Sequence, residues 1–299
     1  MHPRGAGKRP AHRRGAHRAD GERREAPRAA AHRRRRAGGP VTLAATTWGS
    51  GAPLVLLHGF SGAGSAFDHL REALGARFRV TAPDLPGHGG SPEATGWDDA
   101  VQALWNALPR EPFFLAGYSM GARLALAFAL RHPASIRALV LESGSPGIQD
   151  SAERDRRRAE DTGLASLALR EGVAAFVARW EEHPTLWGLR DLPAPLASAL
   201  RERRLRSSAA GLASALRHLG AGAQPPLWDE LPRLRVPTLL LAGEGDAKFS
   251  EIARQMAERI PDARLRLLPR CGHSPHLETP ARFAEAIAGF FTQNEGERT

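Results

Sequence analysis

Short apolar runs recur along the chain from residue 41 onward, each bounded by turn-forming residues. They are "PLVLL" (53–57), "FRVTA" (78–82), "PFFLAG" (112–117), "RALVLE" (137–142), "PTLLLAG" (237–243) and "RLRLLP" (264–269). Continuous apolar runs of this length predict strands buried on both faces. Segments with helical spacing lie between them, such as "MGARLALAFALRHP" (120–133) and "TPARFAEAIAGFF" (279–291). The alternation predicts an α/β fold, a mostly parallel sheet flanked by helices. Residues 148–228 break the rhythm, being rich in Arg, Ala and Leu at amphipathic helical spacing and holding no strand pattern. They predict a helical cap inserted between two halves of the core, 41–147 and 229–293, with 294–299 as a short tail.

Charge changes the picture only at the N-terminus. The net charge of +10 comes from the first 39 residues, which hold 13 Lys/Arg against 3 Asp/Glu, while the other 260 hold 29 of each. The body is therefore neutral, and its charge gives no reason to expect nucleic acid as a partner. Residues 1–40 are mostly Arg, Ala, Gly, His and Pro, too poor in apolar side chains to offset the entropy of ordering, and predict a disordered basic tail. The tail lacks the apolar stretch of a secretory signal. Cys271 is the sole cysteine, which excludes an internal disulfide and suits the cytoplasm. No run of about 18 apolar residues predicts membrane insertion.

Chemistry concentrates at the ends of the predicted strands. "GYSMG" (117–121) frames Ser119 as Gly-x-Ser-x-Gly, between an apolar run and a helical segment, the setting of a nucleophile elbow. A serine hydroxyl needs a histidine to accept its proton and an acid to orient that histidine. Asp246 follows one later strand and His273 the next, in the order serine, acid, histidine. Glu244 is a rival acid and His276 a rival base. Each residue also has a plainer reading: Ser119 as a turn, Asp246 as a helix N-cap, His273 as a loop polar group. "LLHGF" (56–60) ends a strand where this architecture supplies an oxyanion donor, Phe60 N–H, with Met120 N–H as the second. His58 reads as a residue that braces the loop.

Together, "HGFSG", "DLPGHGGS", "GYSMGAR", "GEGDAKF" and "CGHSPH" resemble the α/β-hydrolase superfamily. The arginine of "GYSMGAR", with "LESGSPGIQ" (141–149), "FVARWEEHP" (176–184) and "LGAGAQPPLW" (219–228), is similar to the 2-succinyl-6-hydroxy-2,4-cyclohexadiene-1-carboxylate synthases of menaquinone biosynthesis. The resemblance covers about residues 41–292, and departs at Ala122, where that family more often has glycine. It implies a lyase that eliminates pyruvate from a small tricarboxylate, with the triad acting as a base and without metal or organic cofactor. It further implies that Arg123, one turn below Ser119, binds a substrate carboxylate. Two cap arginines join it: Arg157, with Arg154 as its neighbour, and Arg206, in a cluster that also holds Arg204. Tyr118 and Trp180 match positions that line the pocket, and Lys248 lies near the anionic site. A serine carboxylester or C–C hydrolase on the same fold is the alternative, and a binding protein that acts through its basic tail is a third. An aspartate-nucleophile hydrolase is excluded by Ser119. Oligomeric state is not legible.

Overall fold

The computed structural model describes residues 42–296; the predicted basic tail and the last three residues lie outside that range. All six apolar runs form strands: β2 (Ala52–Leu57), β3 (Phe78–Pro83), β4 (Phe113–Tyr118), β5 (Ile136–Glu142), β6 (Thr238–Gly243) and β7 (Ala263–Leu268). A further strand, β1 (Ala45–Trp48), precedes them and pairs antiparallel with β3. Its sequence, ATTW, buries only Trp48 and so carries no apolar run. Among the described residues the sheet has seven strands, ordered β1-β3-β2-β4-β5-β6-β7, and every pair beyond β1–β3 is parallel.

Two-residue periodicity divides the strands between two cores. Val55 and Leu57 of β2 join Phe113 and Leu115 of β4 on one face, with the helices α2 (Trp97–Ala107) and α3 (Met120–Arg131). Leu54, Leu56, Phe114 and Ala116 point to the other face, against α9 (Pro280–Gln293). Two short helices complete that layer of elements, α1 (Arg71–Leu74) and α8 (Pro275–Glu278), while α7 (Ala247–Ala257) packs on β6 and β7. Asn294, counted with the tail by sequence, is buried and donates to Phe290 O, so it belongs to the folded body.

Between β5 and β6 the chain is helical. It forms α4 (Ser151–Trp180), α5 (Ala194–Leu205) and α6 (Ala209–Leu219). Gly172 breaks α4 with φ 85° and ψ 174°, a conformation that suits glycine. Asp150 and Ser208 cap α4 and α6 through Glu153 N–H and Gly211 N–H. A separate apolar cluster holds these helices together: Ala165, Ala168, Phe176 and Val177 of α4 against Leu212, Ala213 and Leu216 of α6. None of the helices among the described residues is long and apolar enough to cross a membrane.

The strand order fixes where chemistry can occur. The chain runs outward from β2 to β3 and then crosses back to β4, so β2 and β4 are neighbours whose following connections leave in opposite directions. Such a switch point opens a crevice at the edge of a parallel sheet.

Candidate active site

The elbow at this crevice follows from close backbone approach. A Cβ on Gly121 would lie 2.1 Å from Leu57 O, and one on Gly117 would lie 2.5 Å from Gly121 O. Side chains are excluded at both, which lets the chain pass from β4 into α3 within a single turn. The turn leaves Ser119 at φ 50° and ψ −108°, strained for any residue with a Cβ. Gly121→Ala should cost about 1–3 kcal/mol by overpacking and lower the melting temperature by roughly 2–10 °C, readable by thermal unfolding.

Ser119 Oγ lies 3.1 Å from His273 Nε2, and His273 Nδ1 lies 2.6 Å from Asp246 Oδ2. The hydroxyl donates to Nε2 and the Nδ1–H donates to the carboxylate. Asp246 also caps α7, its Oδ1 accepting Phe249 N–H at 3.2 Å, so the two readings of this residue hold together. Glu244 lines the cavity, and the oxygen that His273 engages belongs to Asp246. His276 turns away: its Nδ1 and N–H both meet Glu142 Oε1 at 2.9 Å, buried beneath Tyr118. Glu278, which the sequence did not single out, clamps the histidine loop. Its Oε2 accepts Gly272 N–H at 2.6 Å and its Oε1 accepts Ser274 N–H at 2.9 Å. Tyr118 OH meets Ser274 Oγ at 2.6 Å, and burial raises its phenol above the usual range.

Phe60 and Met120 both line the cavity that holds Ser119. Met120 opens α3, so its N–H is free of intrahelical bonding and lies at the end of the helix that favours negative charge. Phe60 sits on a loop braced by two buried histidines. His58 Nε2 accepts Leu85 N–H at 2.9 Å, and His88 Nε2 accepts Ser61 N–H at 3.1 Å. The rings meet edge to face at 5.1 Å. Burial lowers His58 to about 4 and His88 to about 3, so both are neutral acceptors at neutral pH.

These shifts have a sign. In the unfolded chain both histidines protonate near pH 6.5, well above where they do in the folded protein. The unfolded state therefore takes up protons first as pH falls. Stability present above pH 6.5 should drop towards pH 4, by about 1.4 kcal/mol per pH unit for each histidine. Thermal unfolding across pH 4.5–7 checks this, and His88→Gln should flatten the slope.

The opposite wall is cationic. Arg123 donates to Gln224 Oε1 at 3.2 Å and to Leu219 O at 2.9 Å, with its guanidinium over the Trp97 ring. Gln224 is anchored in turn, donating to Ser145 O at 3.1 Å. Trp228 Nε1 donates to Gly147 O and Leu227 N–H to Pro146 O. The stretches "SGSPG" and "GAGAQPPLW" thus lock together to aim Arg123, a function that their spacing alone does not reveal. Burial, and then the charge of Arg157, push Arg123 down to about 10, which keeps it cationic at neutral pH. Arg157 lines the same cavity and donates through Nε to Asp161, whose carboxylate is buried. Ala122, the departure from the glycine of the resemblance, is accommodated across from Gly144, where a Cβ would lie 2.7 Å from its methyl.

Other cap arginines go elsewhere. Arg154 donates to Ile148 O and Gln149 O, holding the start of α4. Arg206, expected at the substrate, is 72% exposed and pairs with Glu202 at 3.8 Å. The cause is helical phase. Arg203 and Arg204 face inward, to Ser65 and Glu181, and a position two residues on points to the far side of the helix. Arg204 is buried beside a second, small cavity of about 40 Å³ behind Tyr118. Trp180 lines the main cavity and stacks edge-on to Phe60 at 5.0 Å, so it both packs and faces the site. Lys248 stands at the same cavity, exposed. That cavity, about 1300 Å³, has room for a ring with several substituents.

Residues 54–286 match the model of the alpha/beta hydrolase family. A 2-succinyl-6-hydroxy-2,4-cyclohexadiene-1-carboxylate synthase of Klebsiella pneumoniae is 35% identical over 240 residues, spanning 79% of this chain and 92% of that protein. A Bacillus subtilis protein that provisionally bears the same name is 36% identical over 247 residues, spanning 80% and 90%. Among solved structures, MenH from S. aureus superposes with a TM-score of 0.81 at 34% identity, covering 84% of this chain and 99% of that one. A thermophilic esterase from Thermogutta terrifontis follows at a TM-score of 0.73 and 30% identity, covering 86% and 94%.

Proposed function

The chain belongs to the alpha/beta hydrolase family and, within it, to the 2-succinyl-6-hydroxy-2,4-cyclohexadiene-1-carboxylate synthases, and on that premise we propose how its site works. The enzyme is a carbon–oxygen lyase of menaquinone biosynthesis. It eliminates pyruvate from 2-succinyl-5-enolpyruvyl-6-hydroxy-3-cyclohexene-1-carboxylate. Ser119 Oγ takes the ring proton next to the succinyl ketone as its own proton passes to His273 Nε2. Asp246 holds the ring of His273 and stabilises the imidazolium. The C–H electrons form an enolate whose oxygen faces the N–H groups of Phe60 and Met120. They then return through the ring, shift its double bond and break the bond to the enolpyruvyl oxygen. The departing enolpyruvate takes up a proton and becomes pyruvate, so the ring gains one double bond and Ser119 ends unmodified.

The observation that carries this reading is the pairing of a formed Ser–His–Asp relay with Arg123 and Arg157 in one cavity. Two guanidiniums that repel one another gain when a carboxylate comes between them, and arginine offers a planar fork for it. A hydrolase for neutral esters draws no such gain. Tyr118 and Trp180 border the ring, and Lys248 adds charge at the rim. Side chains carry the proton, and backbone N–H groups and arginines meet the charge, so the chemistry calls for no metal or organic cofactor. The substrate is a small polar acid, consistent with a cytoplasmic enzyme. The test is an assay with freshly generated enolpyruvyl substrate, following pyruvate and diene absorbance, beside a neutral aryl ester. Rapid pyruvate release with slow ester cleavage supports the lyase; rapid ester cleavage without pyruvate supports the hydrolase.

A further inference from the structure

Six buried side-chain polar atoms among the described residues have no hydrogen-bond partner, and two of them belong to residues lining the main cavity: Trp180 Nε1 and Ser143 Oγ. The resemblance already gives Trp180 a place at the substrate. Ser143 has none. It is 1% exposed, follows β5 directly and sits at φ 48°, a left-handed backbone that costs energy in a residue with a Cβ. A buried hydroxyl without a partner adds a further penalty. Nothing in the fold's own packing uses this group.

Its position suggests what does. Tyr118 and Glu142 are register partners, and Ser119 N–H donates to Glu142 O at 2.9 Å, so Ser143 is the strand neighbour of Ser119. Its own N–H is pinned to Leu241 O at 2.8 Å, which fixes the turn. The next residue, Gly144, abuts Ala122, which lies between Ser119 and Arg123 and directly precedes Arg123 on α3. Ser143 therefore stands beside the helical turn that joins the base to the anion-binding arginine. A carboxylate has four lone-pair directions, and a guanidinium already shared with Gln224 and Leu219 O cannot fill them all.

We propose that Ser143 is a further substrate-contacting residue, its hydroxyl donating to the carboxylate that Arg123 binds. The proposal rests on the elimination reading and adds a recognition element to it. The strain at residue 143 is then held in the free enzyme and used when substrate arrives.

Ser143→Ala and Ser143→Gly in the full chain test this. Both should lower kcat/KM for pyruvate release by about 10- to 100-fold, the worth of a hydrogen bond to a charged group. Neither should lower the melting temperature, and Ser143→Gly should raise it by relieving the positive φ. Calorimetric titration of a simple tricarboxylate, tricarballylate, should show affinity reduced by about tenfold in both, a loss of the same kind. A structural hydroxyl would instead lower the melting temperature when removed, which would overturn the proposal. Unchanged kcat/KM in both variants, beside a wild type that releases pyruvate, would overturn it as well. Wild-type protein that releases no pyruvate sinks the elimination reading; Ser143 then stands as a carboxylate contact if the tricarballylate loss is seen, and falls if it is not.

Discussion

Ser119→Ala should reduce pyruvate release by about 10⁴-fold or more while leaving the melting temperature within a few degrees of wild type, because triad members act as one unit and single removals in such sites cost 10⁴–10⁶. The substitution keeps the Cβ, so the strained elbow is occupied as before. His273 then faces a methyl group in place of the hydroxyl it held at 3.1 Å, and the oxygen that takes the ring proton is gone. Substrate should still bind, since Arg123, Arg157 and the N–H pair are untouched. Single-turnover kinetics with tight binding and no diene would meet the expectation. Release at more than about a tenth of the wild-type rate would remove Ser119 from the mechanism.

Arg123→Ala should lower kcat/KM for the enolpyruvyl substrate by about 10²–10³-fold, from the 2–5 kcal/mol that follows when one member of a buried, hydrogen-bonded charge pair is truncated. Most of the loss should appear in KM, with a smaller fall in kcat from misplacement of the ring proton relative to Ser119. Arg123→Lys should recover little. A lysine cannot hold Gln224 Oε1 and Leu219 O and still present a planar fork to a carboxylate. Steady-state kinetics on the two variants decides this; near-wild-type KM in both would mean that the carboxylate sits elsewhere.

How legible these groups are in the sequence depends on how local their determinants are. The runs that became β2, β4, β5 and β6 are buried along nearly their whole length because helices cover the sheet twice, so each announces itself; the run of β7, expected to be buried on both faces, instead leaves Arg264, Leu265 and Arg266 exposed because it is the sheet's other edge. β1 does not announce itself, because an antiparallel edge strand with one buried side chain leaves no run to find. Ser119, Asp246 and His273 are marked by their places just past three strands, and the same rule separates His273 from His276, which the fold sends to Glu142. The cap is different. Four arginines lie within six residues at 201–206, on a helix with apolar groups on no single face, so its rotation is set by contacts such as Arg203 with Ser65 and Arg204 with Glu181. Arg206 could not be assigned to solvent from its neighbours alone. Gln224 acts through partners distant in sequence, Arg123 and Ser145, and Glu278 through the backbone N–H groups of Gly272 and Ser274; neither residue type carries a signal of it.

On the proposed mechanism Ser119 works as a base and never as a nucleophile. The most direct test is intact-protein mass spectrometry of enzyme quenched during turnover of substrate deuterated at the ring carbon beside the succinyl ketone. Elimination predicts enzyme at its unmodified mass throughout, together with a primary isotope effect on kcat/KM for pyruvate release. An adduct on Ser119 of acyl mass, formed at a rate indifferent to deuterium, would contradict it and make the chain a serine hydrolase.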